Sequence, residues 1–133
     1  MIIKIILIIC GVFLCNNILW AQKFTKINEY GTKIKYEVLS FEGKKVQVIG
    51  GDSPDELIIP ATVEHDGVTY RVTAIKDEAY YFPPYWLAHH IRRLVLPEGL
   101  EEIGAGAFWG AFRSDGKESI YIPSTVKSIG GQA

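Results

Sequence analysis

His65, Asp66, His89 and His90 are the side chains of this chain best suited to chemistry, because imidazole and carboxylate are common metal ligands. A metal site needs three or four converging ligands. His89 and His90 are adjacent, and adjacent residues of an extended chain point to opposite faces, so they make a poor chelating pair. No Gly-x-Ser-x-Gly, His-Glu-x-x-His or phosphate-cradling glycine loop occurs. Gly104-Ala105-Gly106 is not a dinucleotide fingerprint, since no strand–helix–strand unit surrounds it. Both cysteines, Cys10 and Cys15, fall in an apolar N-terminal run. These residues predict no enzyme, no metal and no cofactor.

Recognition is the better-supplied alternative. The segment from Tyr80 to His90 is the most aromatic of the chain, and Tyr85 and Trp86 are its best candidates for contact with a ligand. Rings that merely anchor an inserted loop to the core give the same composition. The formal charge is −1, so nothing electrostatic points to nucleic acid or an anionic membrane.

The first 21 residues form a unit of their own. Lys4 precedes an apolar run from Ile5 to Leu14, and Trp20-Ala21 supplies a small residue for cleavage, as in a secretory signal peptide. Asn16 and Asn17 interrupt the run too early for a membrane span of about 20 apolar residues. The residues before each cysteine, Ile9 and Leu14, are large, which argues against a lipoprotein cleavage site. Export, with the chain secreted or held at the cell surface, is the expectation. No stable membrane span is expected after cleavage.

Beyond the leader the chain reads as β-structure. Ile34, Tyr36 and Val38 alternate with polar residues, as do Val46 and Val48, which predicts a hairpin turning at Glu42-Gly43 with Gly43 at positive φ. Gln22 to Gly31 reads as a polar lead-in. A second hairpin is predicted around Asp66-Gly67, with strands near Ala61–His65 and Val68–Ile75.

The strongest pattern is self-similarity. Ile59-Pro60-Ala61-Thr62-Val63, Leu96-Pro97-Glu98-Gly99-Leu100 and Ile122-Pro123-Ser124-Thr125-Val126 echo one another. Ile75, Ile103-Gly104-x-x-Ala107-Phe108 and Ile129-Gly130-x-x-Ala133 follow them in turn. A short repeat of this kind predicts a solenoid whose units bury their apolar faces against one another. Alternation along each strand turns Leu57 and Ile59, Leu94 and Leu96, and Ile120 and Ile122 inward. Ile75, Leu100, Ile103, Val126 and Ile129 complete the predicted repeat core, with Phe108 as a plug between coils. Gly104 and Gly130 are expected to permit a sharp reversal, and Ala107 to let a helical turn lie close to the coil.

Ile91-x-x-Leu94-x-Leu96-Pro97-x-x-Leu100-x-x-Ile103-Gly104-x-x-Ala107-Phe108 resembles the leucine-rich repeat of BspA-like surface proteins. The stretch from Ile120 to Ala133 is similar but breaks off where a Phe would follow, and Leu57 to Tyr80 resembles the family's hairpin-expanded first repeat, with Tyr80 in place of Phe. The resemblance implies a mainly β fold: a leucine-rich-repeat solenoid of short strands and single helical turns with an N-terminal β-hairpin cap. The implied organisation is a signal peptide (1–21), a hairpin cap (22–56) and repeats (57–133), the last one truncated.

It also implies an adhesion or binding module for an extracellular protein or glycan. If alternate residues face in, Ile58, Val95 and Tyr121 share one outward row and Arg93 stands in the next, between Glu56 and Ser119. Such a row is a candidate binding surface, although β-propensity alone also fills strands with Ile, Val and Tyr. The alternative is a truncated fragment or structural cap of a longer repeat protein, with no independent activity. That reading predicts an exposed apolar end at Ile122, Val126 and Ile129, and self-association through the open last repeat.

Overall fold

The computed structural model describes residues 22–82, 91–113 and 115–133. The leader, and with it Cys10 and Cys15, lies outside the described residues, as do Tyr85, Trp86, His89 and His90. Ten strands are described: β1 Lys23–Ile27, β2 Lys33–Ser40, β3 Lys45–Gly51, β4 Glu56–Ile58, β5 Thr62–His65, β6 Val68–Ile75, β7 Arg93–Val95, β8 Glu102–Ile103, β9 Ser119–Tyr121 and β10 Ser128–Ile129. They form a seven-stranded sheet of order β1-β2-β3-β6-β8-β10, with β5 paired to β6, and a three-stranded sheet of order β4-β7-β9.

Each repeat contributes one strand to the smaller sheet and one to the parallel part of the larger, and the first repeat adds β5, the hairpin partner of β6. β4, β7 and β9 pair in parallel on one side of the solenoid, and β6, β8 and β10 pair in parallel on the other. One strand-to-strand row therefore runs along the six-strand path of the larger sheet: Phe24, Tyr36, Val48, Ile75, Ile103 and Ile129. Of these, Tyr36, Val48, Ile75 and Ile103 are buried. Facing them from the smaller sheet are Leu57 and Leu94, also buried, with Ile59, Leu96 and Leu100 alongside. The core is thus two ladders of apolar side chains meeting between the sheets.

The β2–β3 hairpin caps this core by continuing it. β3 is antiparallel to β2 but parallel to β6, so the cap and the first repeat share one hydrogen-bonded sheet. The stretch 22–31, expected as a polar lead-in, contains β1, antiparallel to β2. Only Phe24 of that strand is partly buried, which is why its sequence carries no alternation signal. Phe24 lies parallel to the His65 ring at 4.0 Å and stacks on Tyr36 at 5.3 Å.

Three local expectations change. In the β2–β3 turn the positive φ belongs to Lys44 (51°), whereas Gly43 closes on the Ser40 side chain. Gly104 and Gly130 do not adopt positive φ; they are small because the neighbouring coil passes against them. The left-handed position comes later in the repeat, at Glu78 (57°), Gly106 (63°) and Gln132 (57°).

The helical turn expected at Ala107 takes the form of separate i→i+3 turns, closed by the Ala107, Trp109 and Ala111 amides on Gly104, Gly106 and Phe108 carbonyls. No helix grows from them, because a left-handed residue interrupts each arc. The amides of Glu78, Tyr80 and Phe82 are also used between coils, on the carbonyls of Ala105, Ala107 and Trp109.

Aromatic rings fill the seam between the first two coils. Tyr80 and Phe108, both buried, stack at 5.4 Å with ring planes 5° apart, and Tyr81 and Trp109 stack at 5.1 Å. The third coil lacks a following neighbour among the described residues. Ile120 and Ile129 pair in register with buried Leu94 and Ile103 yet are 51% and 55% exposed, and Ile122, the sequence equivalent of Leu96, is 46% exposed. Val126 is half-buried against the core. Ile120, Ile122 and Ile129, expected in the repeat core, are thus about half exposed, with no following coil among the described residues to cover them.

Candidate functional site

The outward side of the three-stranded sheet is built by strand register. Pairing places Ile58, Val95 and Tyr121 in one row and Glu56, Arg93 and Ser119 in the next. Parallel strands lie about 4.8 Å apart, so the side chains of a row stand close enough to act together on one ligand. Ile58 and Val95 are half-buried, and Tyr121 is 52% exposed.

The Tyr121 hydroxyl donates to Glu98 Oε1 at 2.7 Å. That carboxylate lies in the turn after β7, so the phenol reaches from the third coil back to the second. The hydrogen bond to Glu98 and its negative charge hold the Tyr121 pKa above its ordinary value. Arg93 pairs with Glu56 at 3.4 Å. Both side chains are more than half exposed, so the pair contributes less than about 1 kcal/mol. A shallow groove of about 240 Å³ runs beside it, lined by Arg93, Val95, Ser119 and Tyr121 over Leu94 and Ile120.

The face extends past β4. Asn28 donates through Nδ2 to the Ile58 carbonyl at 3.2 Å, and its Oδ1 accepts the amides of Tyr30 and Thr32, each at 2.9 Å. This one side chain docks the β1–β2 loop onto the edge of the sheet and leaves Tyr30 60% exposed beside it. Tyr30, Ile58 and Pro60 line a hollow of about 300 Å³, with Lys26, Glu29 and Glu64 among its other walls. The charge of Glu29, then its hydrogen bond, raises the Tyr30 pKa.

Sequence reasoning passed over Asn28, Glu29, Tyr30 and Glu98. Asn28 and Gly31 are turn formers, but nothing in them announces that the turn folds over the edge of the other sheet.

The larger sheet has a different outward row: Lys23, Glu37, Gln47, Ala74, Glu102 and Ser128. Glu37 is buried there but satisfied, accepting from Gln47 Nε2 at 2.7 Å and pairing with Lys76 at 3.6 Å and Lys23 at 3.8 Å. His65 sits on β5 against Phe24, with Asp66 at 3.3 Å. Among the described residues no group of three or more His, Cys, Asp or Glu is placed to hold a metal ion. Nor is any described helix long and apolar enough to cross a membrane.

No family model matches the chain, and no curated protein matches it. Solved structures do. The chain is similar to a leucine-rich repeat protein from Bacteroides ovatus, with 26% identity over 70% of this chain and a TM-score of 0.54. It is also similar to a leucine rich cell surface protein from Faecalibacterium prausnitzii, with 21% identity over 80% of this chain and a TM-score of 0.57. The chain has a leucine-rich-repeat fold. It spans 23% and 26% of the lengths of those two proteins. In this fold the parallel strands stack side chains of equivalent repeat positions, and the Ile58–Val95–Tyr121 row is such a stack.

Proposed function

We propose that the chain is an exported binding module of the BspA-like type, displayed on or released from the cell, that contacts an extracellular macromolecule through its three-stranded sheet. The observation that carries this reading is the continuous Tyr30, Ile58, Val95 and Tyr121 strip, exposed at both ends and flanked by the Glu56–Arg93 pair. Aromatic and Arg side chains beside a partly covered apolar strip are the composition of a binding hot spot.

The cell-surface description of one structural neighbour and the resemblance of residues 1–21 to a signal peptide support export. The reading is non-catalytic. Tyr85 and Trp86 belong to the proposed contact set as residues of the segment between the first two coils.

The test is capture. The full chain, processed by its expression host, is applied to matrix-protein and glycan arrays. Tyr121→Ala combined with Val95→Ser is expected to lower capture at least about tenfold, the size of a hot-spot loss, without changing the circular dichroism. Unchanged capture by that variant would remove the face from the function.

A second reading follows from the uncovered third coil. Among the described residues Ile120, Ile122 and Ile129 form an apolar surface at one end, while β1–β3 and Asn28 lie over the other. Self-association there joins like ends, which stops at a pair and does not grow into a fibre. Sedimentation of Ile122→Lys/Ile129→Lys against the parent checks it: a dimer lost in the variant supports the pairing.

A further inference from the structure

The strip on the three-stranded sheet ends in two corners of the same chemistry. At one end Tyr121 donates to Glu98 Oε1, which leaves Oε2 open to another donor. At the other, Tyr30 stands beside Glu29. Among the described residues neither Glu29 nor Glu98 forms an ion pair, whereas Glu56 is already engaged by Arg93. The charged groups on and around the strip are Glu29, Glu56, Glu64 and Glu98 against Lys26 and Arg93, a net negative surface.

An exposed phenol ring held next to a carboxylate suits an ammonium or guanidinium group. The ring attracts the cation by its quadrupole and the carboxylate by charge. Between the corners, Ile58 and Val95 offer an apolar floor.

We infer that this face receives an extended basic segment of a protein partner, with an apolar side chain over Ile58 and Val95 and a Lys or Arg at each tyrosine–carboxylate corner. This rests on the binding role proposed above for the same face. The dimensions agree: from β4 across β7 to β9 is two strand spacings, about 10 Å, and the loop bearing Tyr30 lies beyond β4, docked on it through Asn28. Residues i and i+4 of an extended segment share one side and lie about 13 Å apart. The motif is therefore cation-x-apolar-x-cation.

The experiment uses fluorescence anisotropy on the full chain, with two dye-labelled peptides, Ser-Lys-Ser-Ile-Ser-Lys-Ser and the same peptide with Gln for both Lys. The Lys peptide is expected to bind and the Gln peptide not. Glu29→Gln/Glu98→Gln is expected to weaken Lys-peptide binding about tenfold, the sum of two exposed charge contacts, and to flatten its salt dependence. Glu29→Lys/Glu98→Lys should bind a peptide with Glu in place of both Lys, which shows that the face is intact.

Equal binding of the Lys and Gln peptides, or no effect of the double Gln variant, overturns the inference. If arrays show capture that depends on Tyr121 while the Lys peptide does not bind, the face binds something else, a glycan included, and only the basic-segment inference fails. If nothing is captured by any route, the binding role itself fails with it.

Discussion

Gly104 lies against the turn of the preceding coil so closely that a methyl group on it would come within 2.7 Å of Asp77 Cα. Gly130 repeats the relationship one coil later, against Ala105 at 2.6 Å from Cα. Two hydrogen bonds draw the coils together at this point: the Gly104 amide donates to the Ile75 carbonyl at 2.8 Å, and the Ala105 amide donates to Asp77 Oδ1 at 2.9 Å. The missing side chain of each glycine thus sets the distance between repeats.

Gly104→Ala is expected to destabilise the chain by about 2–3 kcal/mol, since the obstacle is backbone and overpacking of a fixed contact costs about that much. Gly130→Ala should cost less, because the third coil has no described neighbour beyond it and can move away. Gly131→Ala meets nothing within 4 Å and serves as the neutral control. Urea midpoints of the three variants at one pH check the order.

Much of the architecture was legible in residue patterns, and the exceptions share a cause. Ile34-x-Tyr36-x-Val38 and Asp66-Gly67 are local signals, and both hairpins form where these residues place them, with Asp66 and Gly67 at φ of 50° and 75°. The Ile-Gly-x-x-Ala echo likewise marks the stacking positions. What could not be read is whatever depends on a neighbour distant in sequence. Leu96 and Ile122 occupy equivalent places, yet one is 1% exposed and the other 46%, because among the described residues Leu96 has a coil on either side and Ile122 on one. β1 hangs on the single ring of Phe24, and Tyr30 joins the outer face through an Asn28 bond to a residue thirty positions away. On the face, the register of Ile58, Val95 and Tyr121 follows from the repeats, while Glu98 enters only because Tyr121 bends back to it.

Phe108→Ala should cost about 3–5 kcal/mol, the usual loss for a buried ring. Its ring is 5% exposed and lies flat against Tyr80. Tyr80→Phe keeps that stack and gives up only a long hydrogen bond, from the hydroxyl to the Gly50 carbonyl at 3.4 Å, so its effect stays below about 1 kcal/mol. Chemical denaturation of the two variants separates ring packing from hydroxyl pairing.

Ile103 and Ile129 test position against pattern. They are paired in register, but Ile103 is 5% exposed and Ile129 55%. Ile103→Ala should destabilise by about 2–5 kcal/mol, including the cavity it leaves. Ile129→Ala should cost less than about 1 kcal/mol, because about half of its surface already meets water. Equal losses in urea melts would mean that the third coil is covered in solution, and sedimentation of the same samples would show whether a second copy covers it.

Alkaline pH should unfold the chain through two tyrosines. Burial raises the pKa values of Tyr36 and Tyr80 far above the ordinary 10.0, since neither phenolate can be solvated inside the core. The unfolded chain releases these protons near pH 10 and the folded chain retains them, so above that point the unfolded state binds fewer protons. Stability is therefore fully present below about pH 10 and falls as pH rises toward the folded values, by up to about 1.4 kcal/mol per pH unit for each tyrosine. Tyr30 and Tyr121, exposed beside Glu29 and Glu98, contribute little to that slope. Urea midpoints from about pH 8 to about pH 12 should decline above pH 10 in the parent and less steeply in Tyr36→Phe and Tyr80→Phe. Tyrosinate absorbance gives the independent reading: of the seven tyrosines in the chain, these two should ionise only together with the loss of near-ultraviolet circular dichroism. Ionisation of Tyr36 or Tyr80 with the fold intact would show that water reaches the core, and the alkaline slope would then vanish.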